Sequence, residues 1–234
     1  MIVIPMGGNI SITTSFKISN FLKSKFNFEP SMLILPCASG DPKYFPEICE
    51  FWERAFKRVK LIPFHKKANT KYTESDWDKF LEDANFVFFS GGDQKRIIEL
   101  VRDSYLHERL LERLKNDEDF AVGGTSAGAA VLGELCILRG SNTNFSSVRV
   151  TKGLNFISGF IVDQHFKERK RFGRLIYALD SFKLNGVGVD EDTALIYERN
   201  KGFTKILGNG YVWFFEYLGD KSLKLYFASE NEEV

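Results

Sequence analysis

The chain has 234 residues, 44% of them hydrophobic and 23 of them phenylalanine, which is enough apolar material for one sizeable core. Its 32 lysines and arginines balance 31 aspartates and glutamates to a formal net charge of +1, which argues against a general nucleic-acid-binding surface. Cys37, Cys49 and Cys136 lack C-x-x-C spacing and read as reduced core residues, so no metal site and no cofactor are expected.

Taken in order, apolar runs alternate with helix-like segments. Ile2–Pro5 reads as a strand, Gly7-Gly8 as a turn, and Thr14 as the cap of a helix through Lys23. Met32–Leu35 is the next strand, Pro46–Arg58 a helix and Lys60–Phe64 a strand. Ser75-x-x-Asp78 resembles a capping arrangement before a short helix ending near Ala84. Phe86-Val87-Phe88-Phe89 is continuously apolar, as expected of a strand buried on both faces. A helix over Gln94–Leu114 follows, with Ile97, Leu100, Val101, Leu110, Leu111 and Leu114 on its apolar stripe. Phe120–Val122 is again a strand, and Ala127–Leu138 reads as a helix.

The second half differs. Ile157–Val162 reads as a strand and Glu168–Leu179 as a helix. Five short strands then come in series: Val187–Val189, Ala194–Tyr197, Phe203–Leu207, Tyr211–Phe215 and Leu223–Phe227, with a Gly208-Asn209-Gly210 turn. The pattern predicts an α/β fold: a mainly parallel sheet sandwiched by helices, with C-terminal hairpin strands, in a single domain over 1–234. No segment matches a signal peptide or a membrane span, so a cytoplasmic setting is expected.

Between the strand at Phe120 and the helix at Ala127 stands Gly124-Thr125-Ser126-Ala127-Gly128, which fits G-x-S-x-G, the nucleophile-elbow pattern. A serine on a tight strand-to-helix turn is lifted clear of its neighbours, and the Ala127 N–H at the helix start faces a developing oxyanion. The plainer reading is a glycine-rich turn that starts a tightly packed helix. Ser90-Gly91-Gly92, after another buried strand, offers further backbone N–H groups on the same sheet edge.

A serine nucleophile needs a base. His65 reads as a solvated loop residue and His107 as a surface residue of a helix, whereas His165 ends the strand in Val162-Asp163-Gln164-His165, at the active edge of the sheet. Beyond it, Arg169, Arg171 and Arg174 read either as a solvated basic face or as carboxylate receivers beside the nucleophile. Arg171 and Arg174, three residues apart, share a helix face.

Four stretches together resemble the S51 peptidase family, which groups dipeptidase E with the cyanophycinases, and most closely its cyanophycinase branch. They are Gly91-Gly92-Asp93-Gln94, Gly124 to Ala129, Asp163 to Phe166 with Arg169, Arg171, Arg174 and Leu175, and Gly188-Val189-Asp190-Glu191-Asp192-Thr193-Ala194-Leu195. The resemblance implies a flavodoxin-like fold of the class I glutamine amidotransferase type and metal-free peptide hydrolysis, with Ser126 as nucleophile, His165 as base, and Gly92 and Ala127 as oxyanion donors. It implies a substrate pocket of Gln94, Asp163, Gln164, Arg169, Arg171 and Arg174, an acidic peptide of aspartyl or β-aspartyl type as substrate, and a homodimer. It also places an acidic triad member just after the elbow helix, where this chain has Ser141-Asn142-Thr143-Asn144 and no carboxylate. Asn142 or Asn144 is therefore expected beside His165, unless Glu134 or Asp190 reaches it. Two other readings stand beside this one: a non-catalytic binding protein on the same scaffold, and an α/β-hydrolase-type esterase, whose histidine comes late in the chain.

Overall fold

The computed structural model describes residues 1–66, 71–230 and 232. In chain order the elements begin with β1 (Ile2–Met6), α1 (Ile12–Phe26), β2 (Ser31–Leu35), α2 (Phe45–Glu53), β3 (Arg58–Leu61), α3 (Glu74–Glu82) and β4 (Phe86–Phe89). Next come α4 (Gln94–Val101), α5 (Tyr105–Asn116), β5 (Ala121–Thr125), α6 (Ala127–Ala130), β6 (Gly133–Arg139) and β7 (Arg149–Lys152). The remainder is β8 (Ile157–Gln164), α7 (Phe172–Phe182), β9 (Asn185–Val189), β10 (Thr193–Glu198), β11 (Gly202–Gly208), β12 (Val212–Gly219) and β13 (Ser222–Ala228).

The strands form two sheets. One is ordered β11-β10-β1-β5-β4-β2-β3, with its last five strands parallel. The β10–β11 hairpin adds to its edge in antiparallel fashion. The other is ordered β13-β12-β9-β8-β6-β7, with β6, β8 and β9 parallel and the rest antiparallel. The expected α/β architecture with C-terminal hairpins is present, but most of the second half builds its own sheet, and only the β10–β11 hairpin extends the first.

Hydrophobic packing defines the layers. On one face of the first sheet, Ile4, Phe86 and Phe88 pack against Ile18 and Leu22 of α1 and Trp52 of α2. On the other face, Val3, Val87 and Val122 meet Ile97 and Val101 of α4, Leu110 of α5, and Val162 and Val187 of the second sheet. Leu175 and Leu179 of α7 cover the far side of the second sheet, against Ile161 and Phe215. All four residues of β4 are buried, as the continuous apolar run requires of a strand covered on both faces.

Two helix expectations are corrected. Gln94–Leu114 is two helices, because α4 ends at Val101, Asp103 turns left-handed with φ 59°, and Ser104 caps α5 by accepting from the His107 N–H. The Ala127–Leu138 segment is one short helix followed by β6. Gly133 admits the strand, since a Cβ there would stand 2.5 Å from the Phe160 carbonyl oxygen. Similarly, Ser11 rather than Thr14 caps α1.

Candidate active site

The carboxyl ends of β1, β4 and β5 bring Gly7-Gly8, Ser90-Gly91-Gly92 and Ser126 to one edge. Ser126 has φ 53° and ψ −114°, a conformation costly for a non-glycine residue and kept only where the surroundings impose it. Those surroundings are the closely packed backbones of the first sheet and α6. A Cβ at Gly124 would stand 2.5 Å from Gly128 backbone atoms, and one at Gly128 would stand 2.1 Å from the Phe89 carbonyl oxygen. Only glycines let β5, α6 and β4 approach this closely. The Ser126 N–H donates to the Met6 carbonyl (3.0 Å), which fixes the turn against β1.

His165 comes from the second sheet, just past the end of β8. It too has a left-handed backbone, with φ 45°, and its N–H donates to the Gly7 carbonyl (2.8 Å). The ring lies over Gly8, where a Cβ would stand 2.2 Å from Cε1. Ser126 Oγ lies 2.9 Å from His165 Nε2, and His165 Nδ1 lies 2.5 Å from Glu191 Oε1. A carboxylate at Nδ1 holds the proton there and leaves the Nε2 lone pair facing the serine hydroxyl. Burial holds the His165 pKa below the usual imidazole value; the Glu191 hydrogen bond opposes that shift and the Arg169 charge adds to it. The Asn9 side chain, donating from Nδ2 to Glu191 Oε2 (2.8 Å), is the main cause holding the Glu191 carboxyl below its ordinary range.

Glu191 lies in the crossover from β9 of one sheet to β10 of the other. The aspartates on either side pin that crossover. Buried Asp190 accepts from the Lys167 N–H and Trp213 Nε1 (both 3.0 Å) and from the Tyr211 N–H (3.2 Å). Asp192 accepts from the Ser11 N–H (2.7 Å) and donates its own N–H to the Gly8 carbonyl (2.8 Å). Of three consecutive carboxylates, the outer two hold the loop and the middle one meets the histidine.

The expectation for Asn142 and Asn144 is thereby corrected. Asn142 Nδ2 donates to the Arg169 carbonyl (3.1 Å), and the Asn144 side chain accepts from Ser146 Oγ (2.7 Å). Their loop packs on the start of α7, where a Cβ at Gly173 would stand 2.1 Å from the Asn142 carbonyl oxygen. Glu134 is engaged by the Gly159 N–H (2.8 Å). No local pattern marked Glu191, although it falls within one of the four stretches that carried the resemblance; the contact comes from the crossover. Asn9 and Gly8 were likewise invisible as partners of Glu191 and His165.

The pocket residues expected from sequence divide into two groups. Asp163, 1% exposed by its side chain, accepts a forked contact from Arg174 Nε (2.7 Å) and Nη2, and a further bond from Arg171 Nη1 (3.2 Å). Asp163 and Arg174 are thus a buried ion pair with their polar atoms engaged by each other, rather than receivers facing solvent. Gln94 is also engaged, donating from Nε2 to the Ile137 and Leu138 carbonyls (3.0 and 2.7 Å), so it ties α4 to β6. Gln164 remains at the site, with Oε1 3.5 Å from Ser126 Oγ. Arg171 donates to the Gln164 carbonyl (2.9 Å) and is half-buried; burial pulls its guanidinium pKa down to about 10. Arg169 is exposed and has no side-chain partner among the described residues.

The two glycine turns frame Ser126. A Cβ at Gly91 would stand 3.4 Å from Ser126 Cβ, so the Ser90–Gly92 turn passes beside Ser126. Gly92, with φ +142°, approaches the Ala38 carbonyl so closely that a Cβ would stand 2.2 Å from its oxygen. Ala127 is the first residue of α6, so its N–H opens the first turn. The other two histidines are buried, not exposed as expected. His107 Nε2 lies 2.8 Å from the Leu154 carbonyl oxygen, and His65 Nε2 lies 2.5 Å from that of Ser39. No group of three or more metal-ligating side chains occurs among the described residues, and no described helix is long and apolar enough to cross a membrane.

Fold and site define a class: an α/β protein with a serine at a nucleophile elbow, backed by histidine and a carboxylate at the junction of two sheets. Comparison with known proteins gives the family. Peptidase family S51 matches residues 2–205, and the chain belongs to that family. Curated relatives include the cyanophycinase of Geminocystis herdmanii, 35% identical over 76% of this chain and 66% of the relative. That of Synechococcus elongatus is 42% identical over 76% of this chain and 56% of the relative. The chain thus spans roughly three-fifths of the length of these relatives (56–66%). Among solved structures, a peptidase from an acI-B1 Actinobacterium superposes with a TM-score of 0.75 at 18% identity, covering all of this chain and 96% of that one. A putative peptidase E from Listeria monocytogenes superposes at 0.60 and 12% identity, covering 89% of this chain and 98% of that one. These two likenesses show the fold.

Proposed function

We propose that this protein is a serine-type peptidase that hydrolyses aspartyl or β-aspartyl peptides. The observation that carries the reading is the unbroken line Ser126–His165–Glu191, with contacts of 2.9 and 2.5 Å. In this reading Ser126 Oγ attacks the scissile carbonyl carbon while His165 Nε2 takes the hydroxyl proton. Glu191 stabilises the imidazolium that forms, and the Ala127 and Gly92 N–H groups receive the oxyanion. As the intermediate collapses, the C–N bond breaks and His165 returns the proton to the leaving amine. Water then attacks the acyl-serine by the same route and releases the acid. The substrate carboxylate is received by Arg169, the arginine with no side-chain partner among the described residues, with Arg171, held by Asp163 and the Gln164 carbonyl, adding its charge beside it; Gln164 borders the reacting carbonyl.

Family membership, relatives named cyanophycinase and the geometry support this reading. The binding-protein alternative drew its force from the missing acid beyond the elbow, and Glu191 removes that ground. The test is Ser126→Ala, for which we expect hydrolysis to fall by about six orders of magnitude, the scale seen when such a nucleophile is removed. A fluorophosphonate adduct should map to Ser126 by mass spectrometry. Undiminished hydrolysis in the variant, or an adduct on another residue, rejects the assignment.

A further inference from the structure

Gln164 reaches Ser126 from the second-sheet side, with Arg171 bound behind it on the Gln164 carbonyl. On the opposite side, where α1 and α2 cover the first sheet, a cleft of about 530 Å³ opens between the β1–α1 loop and α2. It is continuous with the reacting centre, because Ser90, Gly91 and Thr125 form one of its walls. Its floor is apolar and stiff. Trp52 and Phe88 are buried edge-on to each other with ring centroids 4.7 Å apart, and Phe51 stands perpendicular to Trp52 at 5.3 Å. Ile10 and Ile48, both half-buried, complete the apolar lining.

The mouth has a different character. Glu47 and Glu50 lie there exposed, with no ion-pair or hydrogen-bond partner among the described residues, together with Arg54. Two carboxylates against one guanidinium make this side of Ser126 unfavourable for an acidic residue. The opposite side carries the unpaired Arg169 and the half-buried Arg171.

We propose that this cleft is a substrate subsite that takes a large apolar side chain flanking the scissile bond. The enzyme thus selects peptides with an acidic residue on one side of the cut and a residue such as leucine or phenylalanine on the other. The inference rests on the serine-peptidase reading and deepens it. Desolvating an aliphatic or aromatic side chain on the Ile48–Phe51–Trp52 floor gives the binding energy, and a preformed aromatic floor loses little freedom on binding.

The test is a series of dipeptides pairing aspartate with glycine, alanine, leucine, phenylalanine, lysine or aspartate, in both orders and both α and β linkages, read by released amine. In one order, kcat/KM for leucine and phenylalanine should exceed that for glycine by at least about tenfold, the usual scale for filling an apolar pocket. Phe51→Ala should abolish that advantage, bringing the leucine-to-glycine and phenylalanine-to-glycine ratios of kcat/KM close to one. Ile48→Trp, which fills the cleft without removing packing, should do the same and guards against a folding effect in the first variant. Fluorophosphonate labelling of Ser126 separates the two readings. Labelling with a flat series overturns the subsite alone. So does labelling with a lysine optimum lost in Glu47→Gln/Glu50→Gln, which makes the cleft a cation site. No labelling and no cleavage of any peptide overturns the peptidase reading, and this one with it.

Discussion

Ser126 and His165 both take a left-handed backbone at the carboxyl end of a strand, with φ of 53° and 45°, yet different contacts hold them there. The serine turn is fixed within the first sheet, by glycines at Gly124 and Gly128 that let β5, α6 and β4 close up and by the Met6 carbonyl of β1. The histidine is fixed almost wholly by distant chain: the Gly7 carbonyl beneath its N–H, the bare face of Gly8 beneath its ring, and Glu191 at Nδ1. Strain at the elbow is thus imposed within the first sheet and the helix that follows it, and strain at His165 is imposed by docking one sheet on the other. One region can be written in a five-residue motif; the other needs the whole tertiary arrangement.

Among changes that leave the elbow intact, breaking the distant arm should give the largest effect. Glu191→Gln keeps the size of the side chain but removes the charge that offsets the imidazolium. We expect kcat to fall by about 10⁴, the loss seen when a triad acid becomes an amide, with little change in melting temperature. Asn142→Asp and Asn144→Asp should give no acceleration, because their loop faces Arg169 and Ser146 rather than His165. An increase in either variant would show that the loop reaches the histidine during turnover.

The second break concerns the support beneath the arm. Asp163→Ala leaves the buried Arg174 guanidinium without its counter-charge, and we expect a destabilisation of about 3–5 kcal/mol in denaturant unfolding. An unchanged unfolding midpoint would return Asp163 and Arg174 to the substrate pocket. Arg169→Ala is the exposed counterpart. It should leave unfolding unchanged and lower kcat/KM for acidic peptides about tenfold, the scale of one lost hydrogen bond to a charged group. Equal losses for neutral and acidic peptides would remove Arg169 from substrate recognition.

The smallest expected effect is in the pH profile. The base must be neutral, so kcat/KM rises with pH through the His165 pKa of the free enzyme. Burial places that pKa below the ordinary value, so the plateau should persist below about pH 6.5 and fail only on further acidification. Arg169 adds to the downward shift, so Arg169→Ala should move the acid limb to higher pH. An acid limb above about pH 6.5 in the unmodified protein would mean that Glu191 outweighs burial.

Much of the frame was legible because its signals are local. The apolar run Phe86–Phe89 specifies a strand covered on both faces, and the elbow glycines specify a close strand–helix contact. Parallel strands then carry Gly7-Gly8, Ser90–Gly92 and Ser126 to one edge. Periodicity failed where a polar cap interrupted an apolar stripe, as at Ser104 between α4 and α5. It failed again where helix-forming residues entered a strand, as in β6 beyond α6.

The candidate catalytic constellation was only half legible. The sequence by itself proposed both the nucleophile and the base, since each ends a strand at the active edge. It could not choose the acid, because His165 is 39 residues from Ser126 and 26 from Glu191, and no local pattern spans such separations. Composition cannot distinguish an arginine spent on a buried aspartate from one left free, so Arg174 and Arg169 read alike until the fold separates them. Tertiary structure decided both, and the reason is the same. Which carboxylate meets which cation depends on how two sheets dock, and docking is governed by the apolar surface between them rather than by the charged residues that end up in contact.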